Sequence, residues 1–199
     1  MNTPQVRTGV NLTSYAELAV SLVNTDIRAG DDPDPLAGPE AFRLFAADRQ
    51  YLAGPVTQQD LAALRLLRAE LGLIFAAAAE DAQASAVERL NALLVQHPVQ
   101  PVIVSHDSGS WHVHLSESGS VADRYAAGAA IGLTLLVSQF GVSRLRICAI
   151  GSCHRVFIDA STNSSRRYCS DHSTPRTNVT AIRAQRRTGD TGPAATAAS

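Results

Sequence analysis

Arg144-Leu-Arg-Ile-Cys148-Ala-Ile-Gly-Ser-Cys153-His-Arg-Val-Phe-Ile-Asp-Ala-Ser-Thr-Asn-Ser-Ser-Arg-Arg-Tyr-Cys169-Ser-Asp-His172 contains every cysteine of the chain. The pattern is C-x4-C-x15-C-x2-H. An odd, clustered set of three cysteines does not suit a disulfide framework. Structural zinc needs four soft or borderline ligands around a tetrahedron, and two close pairs separated by a loop supply them. Gly151 suits the turn inside the first pair. Phe157 and Ile158 suit a short strand. A segment this small cannot bury enough apolar surface to fold unaided, so a metal would supply much of its stability.

The ligand set is open at its fourth place. His172 is the first candidate, beside Cys148, Cys153 and Cys169. His154 is the second, but it adjoins Cys153. The alternatives are three buried thiols in a finger that has lost its metal, or a reactive thiol at Cys169, beside Arg167 and His172. No acid or oxyanion-glycine pattern accompanies that thiol.

Charge is distributed unevenly around this segment. The chain of 199 residues has no lysine; its 17 basic residues are all arginine. Residues 1–142 hold eight arginines against fifteen acids, and residues 143–187 hold nine against two. Such asymmetry points to a polyanion-binding part joined to an acidic one. Thr174-Pro175 can cap a helix from Arg176 to about Arg187. On it Arg176, Arg183 and Arg187 share a face, flanked by Arg186. Arginine suits bidentate contact with phosphate and guanine edges. Arg166 and Arg167 are placed to meet backbone phosphate. The competing reading is a solvated basic face that offsets the acidic remainder.

Upstream, the pattern is helical. Ser14 can cap a helix from Tyr15 to about Arg28, with Leu18, Leu22 and Ile27 on its stripe. Pro39 opens a second helix, Glu40 to about Arg49. Thr57 and Asp60 form a capping-box variant before a long helix, Gln58 to about Ala79. A fourth helix runs from about Ala84 to Leu94, stopped by His97-Pro98. Two β-prone runs, at about 102–105 and 111–115, flank Asp107-Ser-Gly-Ser110 and read as a hairpin. Asp123 can cap a last helix, Arg124 to Phe140, with Gly141 beyond its end. Gly128 and Gly132 sit four apart on it, which permits close helix packing. The expected fold is therefore mainly α with a small β-hairpin: a helical domain over 1–142, a finger module over 143–187, and a disordered tail over 188–199.

Other polar residues carry weaker readings. His112 and His114 share a strand face and read as half-exposed. Asp31, Asp32 and Asp34 read as a solvated loop. Asn24 and Thr25 can line a pocket or satisfy helix-end groups, and the second suits them better. No phosphate loop, nucleophile elbow or paired catalytic carboxylates occur, so an enzyme is not expected. No apolar run reaches the ~18–20 residues of a membrane span, and the N-terminus lacks a secretory h-region. The chain reads as soluble and cytoplasmic.

The finger segment resembles the bacterial CGNR-type zinc fingers through Cys148, Cys153, Phe157, Asp159, Asn163, Ser165-Arg-Arg-Tyr-Cys169-Ser, Arg176 and Val179. The upstream part is similar to that family's usual partner, the ABATE domain, through Leu22-Val-Asn-Thr25, Gly38-Pro-Glu40, Val56-Thr57 to Leu67, Trp111-His-Val-His-Leu115 and the Ala-rich helix into Leu145. The resemblance implies a stress-response transcription regulator that binds zinc and duplex DNA. In that reading the helical domain dimerises or senses a small effector. The Cys-Gly-Asn-Arg signature itself is missing: its cysteine falls at Ser173 and its Asn-Arg pair at Pro175-Arg176. A zinc-stabilised protein–protein interaction module without DNA binding is the rival function.

Overall fold

The computed structural model describes residues 12–27, 33–49, 52–105, 111–114 and 119–172. Among them are five α-helices: α1 (Leu12–Asn24), α2 (Pro39–Phe45), α3 (Gln58–Ala79), α4 (Gln83–Gln96) and α5 (Val121–Phe140). Strands β1 (Val102–Ser105) and β2 (Trp111–His114) pair antiparallel, as do β3 (Leu145–Ile147) and β4 (Val156–Ile158). The class is mainly α with small two-stranded sheets, as the periodicity implies.

Helix α3 has the bounds its pattern predicts. Leu61, Leu64, Leu67, Leu71, Ile74 and Phe75 are buried at 3–4 residue steps. Its capping box is complete: the Thr57 hydroxyl accepts from the Asp60 N–H, and the Asp60 carboxylate accepts from the Thr57 N–H. Asp60 is also buried, and its second oxygen accepts from the Ala122 N–H at 3.3 Å. One carboxylate thereby ties the starts of α3 and α5 together. Burial pushes its carboxyl up, but hydrogen bonds from Thr57, Ala122 and Ser120 outweigh that and hold it below the ordinary carboxylate value.

Four helices differ from the expectation in their bounds. Helix α1 begins at Leu12, so Ser14 lies within the first turn, and it ends at Asn24. Helix α2 ends at Phe45, and Ala46–Asp48 form turns where more helix was expected. Helix α4 extends one residue earlier and two later than expected. Helix α5 starts at Val121, capped by the Ser120 hydroxyl, with Asp123 as the reciprocating third residue of a capping box. Asp123 is a cap partner, and the hydroxyl three residues earlier is the cap.

The two glycines of α5 let α1 lie directly against it. A Cβ on Gly128 would meet Leu18 Cδ1 at 2.9 Å, and one on Gly132 would run into the backbone of Tyr15 and Ala16. Tyr125 is fully buried between the helices and donates its hydroxyl to the Leu18 carbonyl at 2.9 Å. The 20-residue α5 is long and apolar enough to cross a membrane by length and composition, but it is mostly buried inside the protein. Its charged Asp123 and Arg124 keep the uninterrupted apolar run shorter than the helix.

The core does not stop at α5. Leu145 and Val156 belong to the same apolar cluster as α1, α3 and α5, and Ile147 and Ile158 pack against it. The β3–β4 ladder lies on α3 and α1. The expected tip of the first hairpin, the basic helix 176–187 and the tail 188–199 lie outside the described residues.

Gly132→Ala is expected to cost ~3 kcal/mol or more, because the obstruction is backbone. Gly72→Ala, where an added Cβ meets nothing, is expected to gain ~0.5–1 kcal/mol; denaturant melts of both variants check the pair. Asp60 generates a pH dependence. Its folded value is lowered, so its contribution is fully present above the ordinary carboxylate value of ~4 and is lost as pH falls through the folded value. Asp60→Asn should thus be less stable than wild type at neutral pH and converge on it in acid. A stability difference independent of pH would contradict this account.

Candidate metal centre

Each ligand candidate is set by local backbone. Beyond β3 the chain turns through Cys148–Cys153, where the Cys153 N–H closes the turn on the Ile150 carbonyl at 2.8 Å. The Cys148 N–H bonds the Arg155 carbonyl at 2.9 Å, bringing the turn back onto β4. After β4 a loop returns to Cys169, held by the Ala149 N–H on the Arg167 carbonyl at 2.9 Å. Ser170–His172 is a single 3-10 turn. Side chains three apart eclipse on such a turn, which sets His172 over Cys169.

The result is a cluster of four. The ligand atoms of Cys148, Cys153, Cys169 and His172 all lie within 4.8 Å of one another. Cys153 Sγ is 3.9 Å from Cys169 Sγ; His172 Nδ1 is 3.7 Å from Cys148 Sγ and 3.2 Å from Cys169 Sγ. A zinc tetrahedron with ~2.3 Å sulfur bonds and ~2.0–2.1 Å nitrogen bonds has edges of about 3.5–3.8 Å. The donors are thus spaced as ligands of one ion. His154 is exposed and outside the cluster. Ser173 lies outside the described residues.

The electrostatics also suit a cation. All three thiols are buried. Burial pushes the Cys153 thiol up to about 11, with the neighbouring Cys148 and Cys169 sulfurs adding to the rise. Burial also opposes ionisation of Cys148, but N–H groups of Cys169 and Ile150 directed at its sulfur lower its value. The Cys148 thiol gives up its proton more readily than usual, and the Cys153 thiol beside it less readily. A divalent cation removes that conflict, since it binds thiolates and cancels their repulsion.

Asp159 organises the loop behind the cluster. It is 1 % exposed. One oxygen accepts from the Ser161 N–H and hydroxyl, and the other from the Arg166 N–H at 2.9 Å. Burial works against its ionisation; those donors and the nearby Arg144 charge lower its value overall. Arg144 donates to the carbonyls of Asp159 and Ser161, and Arg146 to that of Ser164.

Asn24, at the end of α1, fastens the finger to the helices. Its side-chain amide donates to the Val156 carbonyl and its oxygen accepts from the Val156 N–H, both at 2.9 Å. This corrects the helix-end reading for Asn24. Thr25 does serve the helix end, with its hydroxyl on the Leu22 carbonyl at 2.7 Å. Asp34, expected in a solvated loop, instead accepts from the Leu36 N–H and faces Arg68 at 3.3 Å. Asp31 and Asp32 lie outside the described residues. His97 lies 3.7 Å from Asp123.

The finger arginines differ in their freedom. Arg155 pairs with Asp171 at 3.1 Å. Arg166 is half-buried; its Nε donates to the Tyr168 carbonyl and its guanidinium lies over the Phe157 ring. Arg167 is exposed, without a side-chain partner among the described residues. Arg176, Arg183, Arg186 and Arg187 lie outside the described residues.

Residues 16–139 match the ABATE family, described as "Putative stress-induced transcription regulator". The chain belongs to the ABATE family. Residues 144–186 match the CGNR zinc finger, so the cysteine cluster falls within the second match, in the order the resemblance implies. No curated protein matches the chain. Both ABATE and the CGNR finger are regulator and zinc-finger types and not enzyme families. Together with the Cys3His cluster they make this a zinc-binding protein of the regulator class.

Protein purified without chelator should carry about one zinc per chain by atomic emission. His172→Ala and Cys169→Ser should lower that value, and Ser173→Ala should leave it unchanged. Full zinc retention in His172→Ala would remove the histidine from the ligand set.

Proposed function

We propose that the protein is a zinc-dependent, DNA-binding transcriptional regulator acting on duplex DNA in the cytoplasm. Cys148, Cys153, Cys169 and His172 hold the ion as a closed structural site, with four protein ligands and no position left for a substrate. The finger (143–187) is the DNA-contacting module. The helical part (1–142) dimerises or senses a small effector.

The observation that carries this reading is the convergence of the three cysteines and His172 immediately ahead of an arginine-rich segment. A knot fixed on both sides, by the metal and by Asn24, gives whatever follows His172 a defined point of departure. A basic helix positioned by a zinc knot is an established way into the major groove. In this role Arg176, Arg183, Arg186 and Arg187 reach the duplex, and Arg166 and Arg167 neutralise backbone phosphate. Arg167 is the better placed of the two, being exposed with no side-chain partner among the described residues. Arg166 has two engagements to keep.

Salt dependence tests the proposal against the protein-interaction reading. Each neutralised phosphate contributes a slope of about −0.9 to log affinity against log salt, so six contacts imply a loss of ~10³-fold between 50 and 200 mM. Arg167→Ala should weaken binding to all duplexes alike and make the slope shallower by about one. Zinc-loaded protein that ignores duplex DNA at low salt, yet binds an acidic protein with shallow salt dependence, would establish the interaction module instead.

A further inference from the structure

A cavity of about 180 Å³ lies where α1 meets the finger. One wall is α1, with Glu17 and Asn24; the other is the finger, with Arg155, Phe157, Arg166 and Ser170. The charges on the walls are opposite. Glu17 is exposed at the rim and has no ion-pair partner among the described residues.

The two guanidiniums across from it are already held in place. Arg155 is fixed by Asp171 through its Nε. Arg166 is fixed by the Tyr168 carbonyl through its Nε and lies over Phe157. A guanidinium has five N–H donors, so each keeps its terminal groups for another acceptor. Donors oriented before a ligand arrives reduce the entropy lost on binding. Asn24 is likewise held, by two hydrogen bonds to Val156.

The geometry points to this cavity as a binding site for a small zwitterion of the free amino-acid class. Its ammonium faces Glu17, and its carboxylate meets the terminal N–H groups of Arg155 and Arg166. The cavity has room for a small amino acid. A simple anion would leave Glu17 as an uncompensated like charge, and a simple cation would face two arginines. A bound zwitterion satisfies both walls and bridges α1 to the finger. Binding itself does not depend on the DNA-binding proposal; only its use as an effector signal rests on that reading.

The test is thermal denaturation of the full zinc-loaded chain with the standard amino acids added singly. A ligand at ~100 times its Kd should raise Tm by ~5–10 °C for a chain of this size. N-acetylation or carboxyl esterification of the effective amino acid should abolish the shift. Glu17→Gln should abolish it too, with zinc content and unliganded Tm unchanged, because Glu17 makes no contact that folding uses. If no amino acid shifts Tm, or if the shift survives both N-acetylation and Glu17→Gln, the site is not a zwitterion pocket. DNA affinity is measured separately. Loss of DNA binding with a retained Tm shift refutes the regulator mechanism alone.

Discussion

The amide of Asn24 meets the backbone of Val156 with both its donor and its acceptor, across 132 residues of sequence. The placement of the finger follows from that contact. A strand as short as β4 has few backbone groups to offer, and one of its donor–acceptor pairs is taken by α1. With Leu145 and Val156 drawn into the helical core, β3 and β4 are anchored by burial and by a specific polar clamp. The loops beyond them, which hold the sulfurs and His172, inherit that position. Metal binding thus acts on loops whose bases are already fixed.

The same division runs through the arginines. Composition alone assigns nine of them to a single basic region, but the described ones do unlike work. Arg144 and Arg146 bond carbonyls of the Asp159 loop, and Arg155 closes onto Asp171. These side chains build the scaffold. Arg167 has no such task among the described residues. Counting positive charge therefore overstates the number of free contacts.

What the sequence made legible was periodic or locally spaced. Helix α3 could be read to its ends because a Leu stripe and the Thr57–Asp60 pair agree. The two cysteine-bearing turns could be read because a ligand pair in a short turn is a local event. The start of α5 is harder to read because a capping box has two polar members, Ser120 and Asp123, and in sequence alone either can be the cap. Asn24 and Asp159 were illegible for another reason. A polar side chain at a helix end, or in a Ser-rich loop, has local uses that suffice, and its distant partner leaves no mark on its neighbours in sequence. In Asp60 both situations coincide: its bond to Thr57 is local and readable, while its bond to Ala122 is not.

The interplay of clamp and metal bears on how a regulator of this design can be controlled. The cluster and the junction share a residue: Cys169 belongs to the ligand cluster and also lines the same cavity as Glu17 and Asn24. A change in the spacing between α1 and the finger must move Val156, and through Arg155 it must move Cys148, whose N–H bonds the Arg155 carbonyl. Packed elements have few intermediate arrangements. A ligand seated between α1 and the finger would therefore favour one such arrangement over another.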